Sequence, residues 1–249
     1  MSIRTLIVDD EEALLEQAEK FIQQIDSEIE VFTAISAKKG LEIIDKKTID
    51  VIVSDYQMPD MDGIEFLNKI RENDDDSPFI ILTGRGREEV VMKALNLGAD
   101  RYLQKSGDPT TQFSMLAQAI EQEFEHFETK KRLKESEERY RRLFESTRDG
   151  ILLIDAESGK IKDANPYLQE MLGYSKKEIT GKKLWELGTF KSMIENKNSF
   201  HELIEEGYIR DENKPLKTKD GHEVLVEFVS NTYEVREKMV VECNLREVI

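Results

Sequence analysis

Cysteine occurs once in this sequence, at Cys243, so no disulfide can form within the chain, and the composition fits a reducing cytosol. Long apolar runs are missing as well. Nothing approaches the roughly 18 residues that span a bilayer, and the N-terminus has no hydrophobic signal core. Any membrane association is therefore expected to come through a partner, and the expected location is cytoplasmic. Basic charge is in deficit. Lys+Arg number 36 against Asp+Glu 52, giving a net charge of −16, the wrong sign for gripping a phosphate backbone. This argues against nucleic acid as a main partner. Glycine and proline are absent from Thr110 through Phe144, so no local breaker interrupts that stretch.

What is present is enough chain for two domains, each able to bury a core. The first half alternates short apolar runs with amphipathic segments. Strands are expected at Arg4–Val8, Glu30–Ile35, Val51–Ser54, Phe79–Leu82 and Arg101–Gln104. Helices are expected at Ala13–Ile25, Ala37–Asp45, Ile64–Arg71, Glu88–Asn96 and Gln112–Phe127. Five such βα units with right-handed crossovers make an α/β, doubly wound, five-stranded parallel sheet. The acidic run Asp74-Asp75-Asp76 before Ser77-Pro78 reads as a solvated turn.

Chemical groups follow these apolar runs. Asp9 and Asp10 come after Leu6-Ile7-Val8, Asp55 after Val51 to Ser54, Thr83 after Phe79 to Leu82, and Lys105 after Tyr102 to Gln104. Each is thus expected at the carboxyl end of a buried parallel strand, where open α/β sheets place their ligands. Carboxylates, a hydroxyl and an ammonium suit a divalent cation and a phosphoryl group. Asp55 is the expected nucleophile, since carboxylates accept phosphoryl groups as acyl phosphates. Asp9, Asp10 and Asp55, with the backbone carbonyl of Gln57, supply the hard oxygen donors that Mg²⁺ takes. Thr83 offers a hydroxyl and Lys105 a cation to the phosphoryl oxygens. The Gly84-Arg85-Gly86 string lacks a following Gly-Lys-Ser/Thr and is no P-loop.

These residues resemble the receiver domain of two-component response regulators. The strings that carry the likeness are Val8-Asp9-Asp10-Glu11-Glu12, Asp55-Tyr56-Gln57-Met58-Pro59-Asp60-Met61-Asp62-Gly63, Leu82-Thr83-Gly84, and Gly98-Ala99-Asp100 leading to Leu103-Gln104-Lys105. The resemblance implies a flavodoxin-like fold over residues 1–122, phosphotransfer from a histidine kinase to Asp55, and slow hydrolysis. It also implies that Gln57 and Arg85 tune the lifetime of the phosphoryl group; Arg85 either pairs with that group or points to solvent. Tyr102 is either a switch aromatic working with Thr83 or an ordinary half-buried strand residue.

Residues 123–139 are expected as a helical connector. Phe113, Leu116, Ile120, Phe124 and Phe127 can face the first domain. The helix then turns strongly charged, with Leu133, Tyr140, Leu143 and Phe144 keeping a thinner apolar stripe. That stripe either pairs with a second copy, giving a homodimer, or leaves a solvated strut. From 140 to 249 the pattern is α+β with a five-stranded antiparallel sheet. A hairpin is expected at Gly150–Asp155 and Ile161–Ala164, then short helices, then strands at Gly207–Lys217, Glu223–Val235 and Lys238–Arg246. This part resembles a PAS sensor domain, through Tyr140 to Glu145, Asp149-Gly150-Ile151, Asp163-Ala164-Asn165-Pro166, Leu172-Gly173-Tyr174-Ser175, Ile179-Thr180-Gly181-Lys182 and Glu242 to Val248. The residues name no PAS ligand. Cys243 reads as a small buried hydrophobe, His201 as a solvated helix residue and Trp185 as core filler.

The function expected from the whole is phosphorelay signalling through a receiver, a connecting helix and a PAS domain that senses or dimerises. No kinase motif is present, so the chain is not itself expected to be a kinase. An alternative is that it forms the N-terminal regulatory part of a sensor histidine kinase whose core lies beyond Ile249. A further one is a PAS binding module with a vestigial receiver, against which the intact acid set argues.

Overall fold

The computed structural model describes residues 2–84, 94–105, 107–191, 194 and 197–248. The chain divides into two compact units, Met1–Lys134 and Glu135–Ile249.

The first unit is a parallel sheet in the order β2-β1-β3-β4-β5. Its strands are β1 (Ile3–Val8), β2 (Ile29–Ala34), β3 (Val51–Asp55), β4 (Phe79–Thr83) and β5 (Arg101–Gln104). Every residue of β3 and β4 is buried, as expected of central strands covered by helices on both faces. One face packs against α1 (Glu12–Ile25) and the start of α4 (Pro109–Ser146), through Leu15, Ala18, Ile22, Phe113, Leu116 and Ile120. The other packs against α2 (Ala37–Ile44) and α3 (Gly63–Glu72), through Ala37, Ile64, Phe66, Leu67 and Ile70. The three- and four-residue spacing of these side chains is what made the helices legible. Of the helix expected at Glu88–Asn96, only Ala94–Asn96 is described, and it is helical.

The order β2-β1-β3 reverses direction between β1 and β3. That reversal is the topological switch point, and Asp9 and Asp55 stand at its carboxyl edge. The α3 start is tightly held beside it. Asp62 caps the helix with its side chain on the Ile64 and Glu65 amides, and Glu65 reaches back to the Asp62 amide. Gly63 is obligatory here, because a Cβ would stand 2.4 Å from the Asp55 carbonyl oxygen.

Helix α4 starts one turn earlier than its apolar period suggests. Asp108 caps it by accepting from the Thr111 amide and hydroxyl, and Pro109 fills the first turn. It then runs unbroken to Ser146, and the division between the units falls within it.

The second unit is an antiparallel sheet in the order β7-β6-β10-β9-β8. Here β6 is Gly150–Asp155, β7 Ile161–Ala164, β8 Tyr208–Lys217, β9 Glu223–Val235 and β10 Lys238–Glu247. Between β7 and β8 lie α5 (Pro166–Leu172), α6 (Lys176–Ile179), two short 3₁₀ turns and α7 (Lys197–Glu206). Alternate residues of β6, β9 and β10, among them Leu152, Ile154, Val226, Phe228, Val241 and Leu245, meet Leu168, Leu172, Phe190 and Phe200 in one core. Asn165 and Gly173 bound α5, the asparagine capping the Leu168 amide and the glycine taking φ 76°.

Candidate functional site

Sheet register brings the predicted groups together. Val8 pairs with Ser54, Asp55 with Leu82 and Thr83 with Gln104, so residues 9, 55, 83 and 105 leave neighbouring strands at one edge. Asp9 is fully buried, Asp55 is 6% exposed and Thr83 4%. Lys105 reaches back over the edge and lays its Nζ 2.6 Å from Asp9 Oδ2 and 2.6 Å from Asp55 Oδ1. The remaining oxygens are held by backbone: Asp9 Oδ1 accepts from the Glu11 amide at 3.0 Å and Asp55 Oδ2 from the Gln57 amide at 2.8 Å. Both carboxylates are thus fixed in orientation by the chain that follows them.

One ammonium lies between two buried carboxylates, so the cluster carries an excess of negative charge. Burial pushes the Asp55 carboxyl above the usual carboxylate range; Lys105 pulls it down and Asp9 adds to the rise. Burial works against the Lys105 ammonium, yet its hydrogen bonds to Asp55 and Asp9 hold it above the ordinary lysine value.

Asp10 is exposed at the mouth of the site, beside a shallow hollow of about 400 Å³ lined by Tyr56, Gln57, Met58, Pro59 and Asp62. The donors available there are carboxylate and carbonyl oxygens, the set that suits a hard dication, and the excess negative charge calls for one. Among the described residues, no three acidic, His or Cys side chains converge on one metal position. The ammonium of Lys105 bridges Asp9 and Asp55 instead. By charge and donor type the residues fit Mg²⁺.

Thr83 Oγ1 donates to the Gly84 carbonyl at 3.3 Å, a long bond for a hydroxyl donor. Tyr102 is 46% exposed on β5, more open than a half-buried strand residue. Arg85 lies outside the described residues. One contributor escaped sequence reading: the Ser54 hydroxyl donates to the Asp55 carbonyl at 2.9 Å and so steadies the strand end that presents the acid. A serine closing an apolar strand one residue before the acid was its only signal.

In the second unit, Cys243 is fully buried beside Ser230, and burial pushes its thiol up to about 12, so it is chemically inert at neutral pH. Trp185 packs on Phe200 at 5.5 Å and against Gly159, partly buried at the margin of the core rather than within it. His201 is exposed. Asn165 does more than cap α5. Fully buried, it accepts from the Ile151 amide and donates to the Asp149 carbonyl, tying β6 to the helix.

Comparison with known proteins agrees with both halves. The response regulator receiver domain family matches residues 5–120, and a PAS domain family matches residues 138–206. Regulatory protein VanR of Enterococcus faecium is 36% identical over 109 residues, 44% of this chain and 46% of that protein. Response regulator MprA of Mycobacterium ulcerans is 34% identical over 105 residues, 42% of this chain and 44% of that protein. The chain therefore spans less than half the length of these curated relatives. Among solved structures, a response regulator receiver domain protein from Clostridium thermocellum is 31% identical, with a TM-score of 0.46 over 52% of this chain and 98% of that one. The PAS domain of an HTR-like protein from Haloarcula marismortui is 24% identical, with a TM-score of 0.42 over 49% of this chain and 98% of that one. With its parallel sheet, long helix and antiparallel sheet in that order, the chain carries a response regulator receiver domain followed by a PAS domain.

Proposed function

We propose that this chain is a phosphorelay switch in which Asp55 accepts a phosphoryl group from a histidine kinase. The observation that carries the reading is the contact of Lys105 Nζ with both Asp9 and Asp55 at the carboxyl edge of the sheet. In the reaction, a free lone pair on an Asp55 carboxylate oxygen attacks phosphorus. The phosphorus–nitrogen bond to the donor imidazole breaks, and an acyl phosphate forms. Burial raises the energy of the carboxylate and so favours its use as a nucleophile, while the Gln57 amide and Lys105 fix its aim. Lys105 and the Thr83 hydroxyl are positioned to receive phosphoryl oxygens as charge moves onto them. Asp9, Asp10, Asp55 and the Gln57 carbonyl would hold Mg²⁺, which neutralises carboxylate and phosphoryl charge when bound.

Transfer replaces the Lys105–Asp55 pair with a larger, doubly charged group, and this local change of charge is what the chain reads out. Helix α4 is the route, since it begins just beyond Lys105 and continues to Ser146. A second copy of the chain is the proposed partner of its exposed Leu133, Tyr140 and Leu143. The decisive experiment incubates the protein with acetyl phosphate and Mg²⁺ and measures intact mass. A phosphoryl adduct is expected in the natural chain and none in Asp55→Asn. An adduct of equal yield in that variant overturns the assignment.

A further inference from the structure

The receiver has a second charged hollow at a place where its helices and loops meet away from Asp55. Residues 123, 126, 127, 130, 131 and 134 of α4 recur at three- and four-residue spacing and so share one helix face. Further back, this helix buries Phe113, Leu116 and Ile120 in the core. Beyond Glu123, His126, Phe127, Lys130, Lys131 and Lys134 line a groove of about 470 Å³, whose other wall is the end of α3 and the loops entering β4 and β5. That volume is in the range of small-molecule sites.

The floor of the groove is built and rigid. Arg71, mostly buried, donates Nη1 to the Asp75 and Ser77 carbonyls at 2.6 and 3.0 Å, and Nη2 to the Gly98 carbonyl at 3.0 Å. Asp100 accepts from the Phe79 amide at 2.8 Å and pairs with Arg71 at 3.4 Å. Glu123 is spent on Arg101 at 2.7 Å. Of the acids lining the groove, Asp76 is the one left to face Lys130, Lys131 and Lys134; Lys131 also acts on the Asp50 carboxylate outside the groove, and none of the three has an ion pair within 4 Å among the described residues. In a chain of net charge −16, three exposed lysines along one wall of a groove are a local excess of positive charge. The ring of Phe127, half-buried, and the imidazole of His126 stand one turn back from the ammonium groups.

We propose that this groove binds a nucleotide: its ring packs against Phe127 and His126, and its phosphates meet Lys130, Lys131 and Lys134. Clustered ammonium groups suit two or more phosphates, and an aromatic ring beside them suits a planar base. The site is separate from the phosphoryl site and does not rest on that assignment.

The test is calorimetric titration of the whole chain with ADP, and separately with pyrophosphate, in a metal chelator so that the Asp55 cluster takes no part. ADP is expected to bind saturably, more tightly than pyrophosphate, and equally in Asp55→Asn. The triple variant Lys130→Glu, Lys131→Glu, Lys134→Glu is expected to lose about tenfold or more in ADP affinity, each exposed charge contact contributing a few-fold. All three lysines are exposed, so the variant should keep its circular dichroism. Phe127→Leu, which keeps the apolar volume, is expected to weaken ADP but not pyrophosphate. No saturable ADP binding, equal binding of ADP and pyrophosphate, or undiminished binding in the triple variant overturns the proposal. So does binding of a glutamate-rich peptide in place of ADP.

Discussion

Gly63→Ala tests whether the start of α3 holds Asp55 in place. The added Cβ would lie 2.4 Å from the Asp55 carbonyl oxygen and 3.1 Å from Tyr56 Cα. Both neighbours are backbone, so no side chain can swing aside. The two segments must part by about 0.6 Å merely to reach the 3.0 Å that such contacts essentially never breach. That movement stretches the Gly63 amide's 2.9 Å bond to the Tyr56 carbonyl and pushes on Asp55, the proposed acceptor. Overpacking of this kind costs about 1–3 kcal/mol, which should lower the receiver's melting temperature by about 5 °C or more. If Asp55 accepts a phosphoryl group as proposed, a shift of a large fraction of an ångström there should also slow that transfer by about tenfold to a hundredfold.

The two units can be followed separately. The chain's one tryptophan, Trp185, lies in the second unit, so a circular dichroism transition without a matching change in tryptophan fluorescence belongs to the receiver. Gly84→Ala is the control, because a Cβ there meets nothing within 4 Å among the described residues although Gly84 follows Thr83. It should stay within about 0.5 kcal/mol of the natural chain. Natural stability and natural phosphorylation rate in Gly63→Ala would refute the close-approach argument.

Mg²⁺ should raise the receiver's melting temperature by mass action, and Asp9→Ala with Asp10→Ala should abolish the rise; a persisting shift would move the metal elsewhere. Light scattering at tens of micromolar should give a dimer for the whole chain and a monomer for residues 1–122, whereas a monomeric whole chain would leave α4 as a strut. In the second unit, the Ser158 hydroxyl and amide, then Lys162, hold the Asp155 carboxyl down at about 2. A depressed carboxyl contributes stability that is present above the unfolded value of 3.8 and lost as pH falls toward 2. Allowing for solvent screening at this surface turn, about 1 kcal/mol is expected. Urea unfolding followed by Trp185 should show Asp155→Ala weaker than the natural chain at pH 7 and the gap closing below pH 4; a gap unchanged at pH 3 would contradict the linkage.

Much of the fold could be read because burial on both faces leaves an unbroken apolar run. Val51–Asp55 and Phe79–Thr83 are buried throughout, and their sequences contain little else to interpret. Asn165-Pro166 and Gly173 marked both ends of α5 because cap, preset φ and left-handed glycine are local requirements. The convergence of Asp9, Asp55, Thr83 and Lys105 was legible for the same reason: these groups close strands. Its wiring was not. That Lys105 bridges Asp9 and Asp55 depends on how far a flexible side chain reaches across β4 and β3, which no spacing encodes. Tyr102 is more exposed than expected because β5 is an edge strand whose residues alternate between half-buried and exposed. The nucleotide-sized groove was invisible because three separate segments have to meet to make it.

Helix α4 shows the same division between local and distant causes. The absence of Gly and Pro permits an unbroken helix, but permission is not stability. Between Glu128 and Leu143 there is one ion pair among the described residues, Glu128–Arg132 at 3.8 Å, and such pairs contribute only about 0.3–0.5 kcal/mol. Isolated helices of that length are marginal in water. Continuity must therefore come from the anchored ends: Phe113, Leu116 and Ile120 in one core, Phe144 buried at the other. The middle is held largely by its ends, with Leu133, Tyr140 and Leu143 exposed along it. A segment whose order depends on both ends is one whose population a modest change at either end can shift. That is the property the proposed switch requires of this helix, and the place where the apolar residues stop supports it.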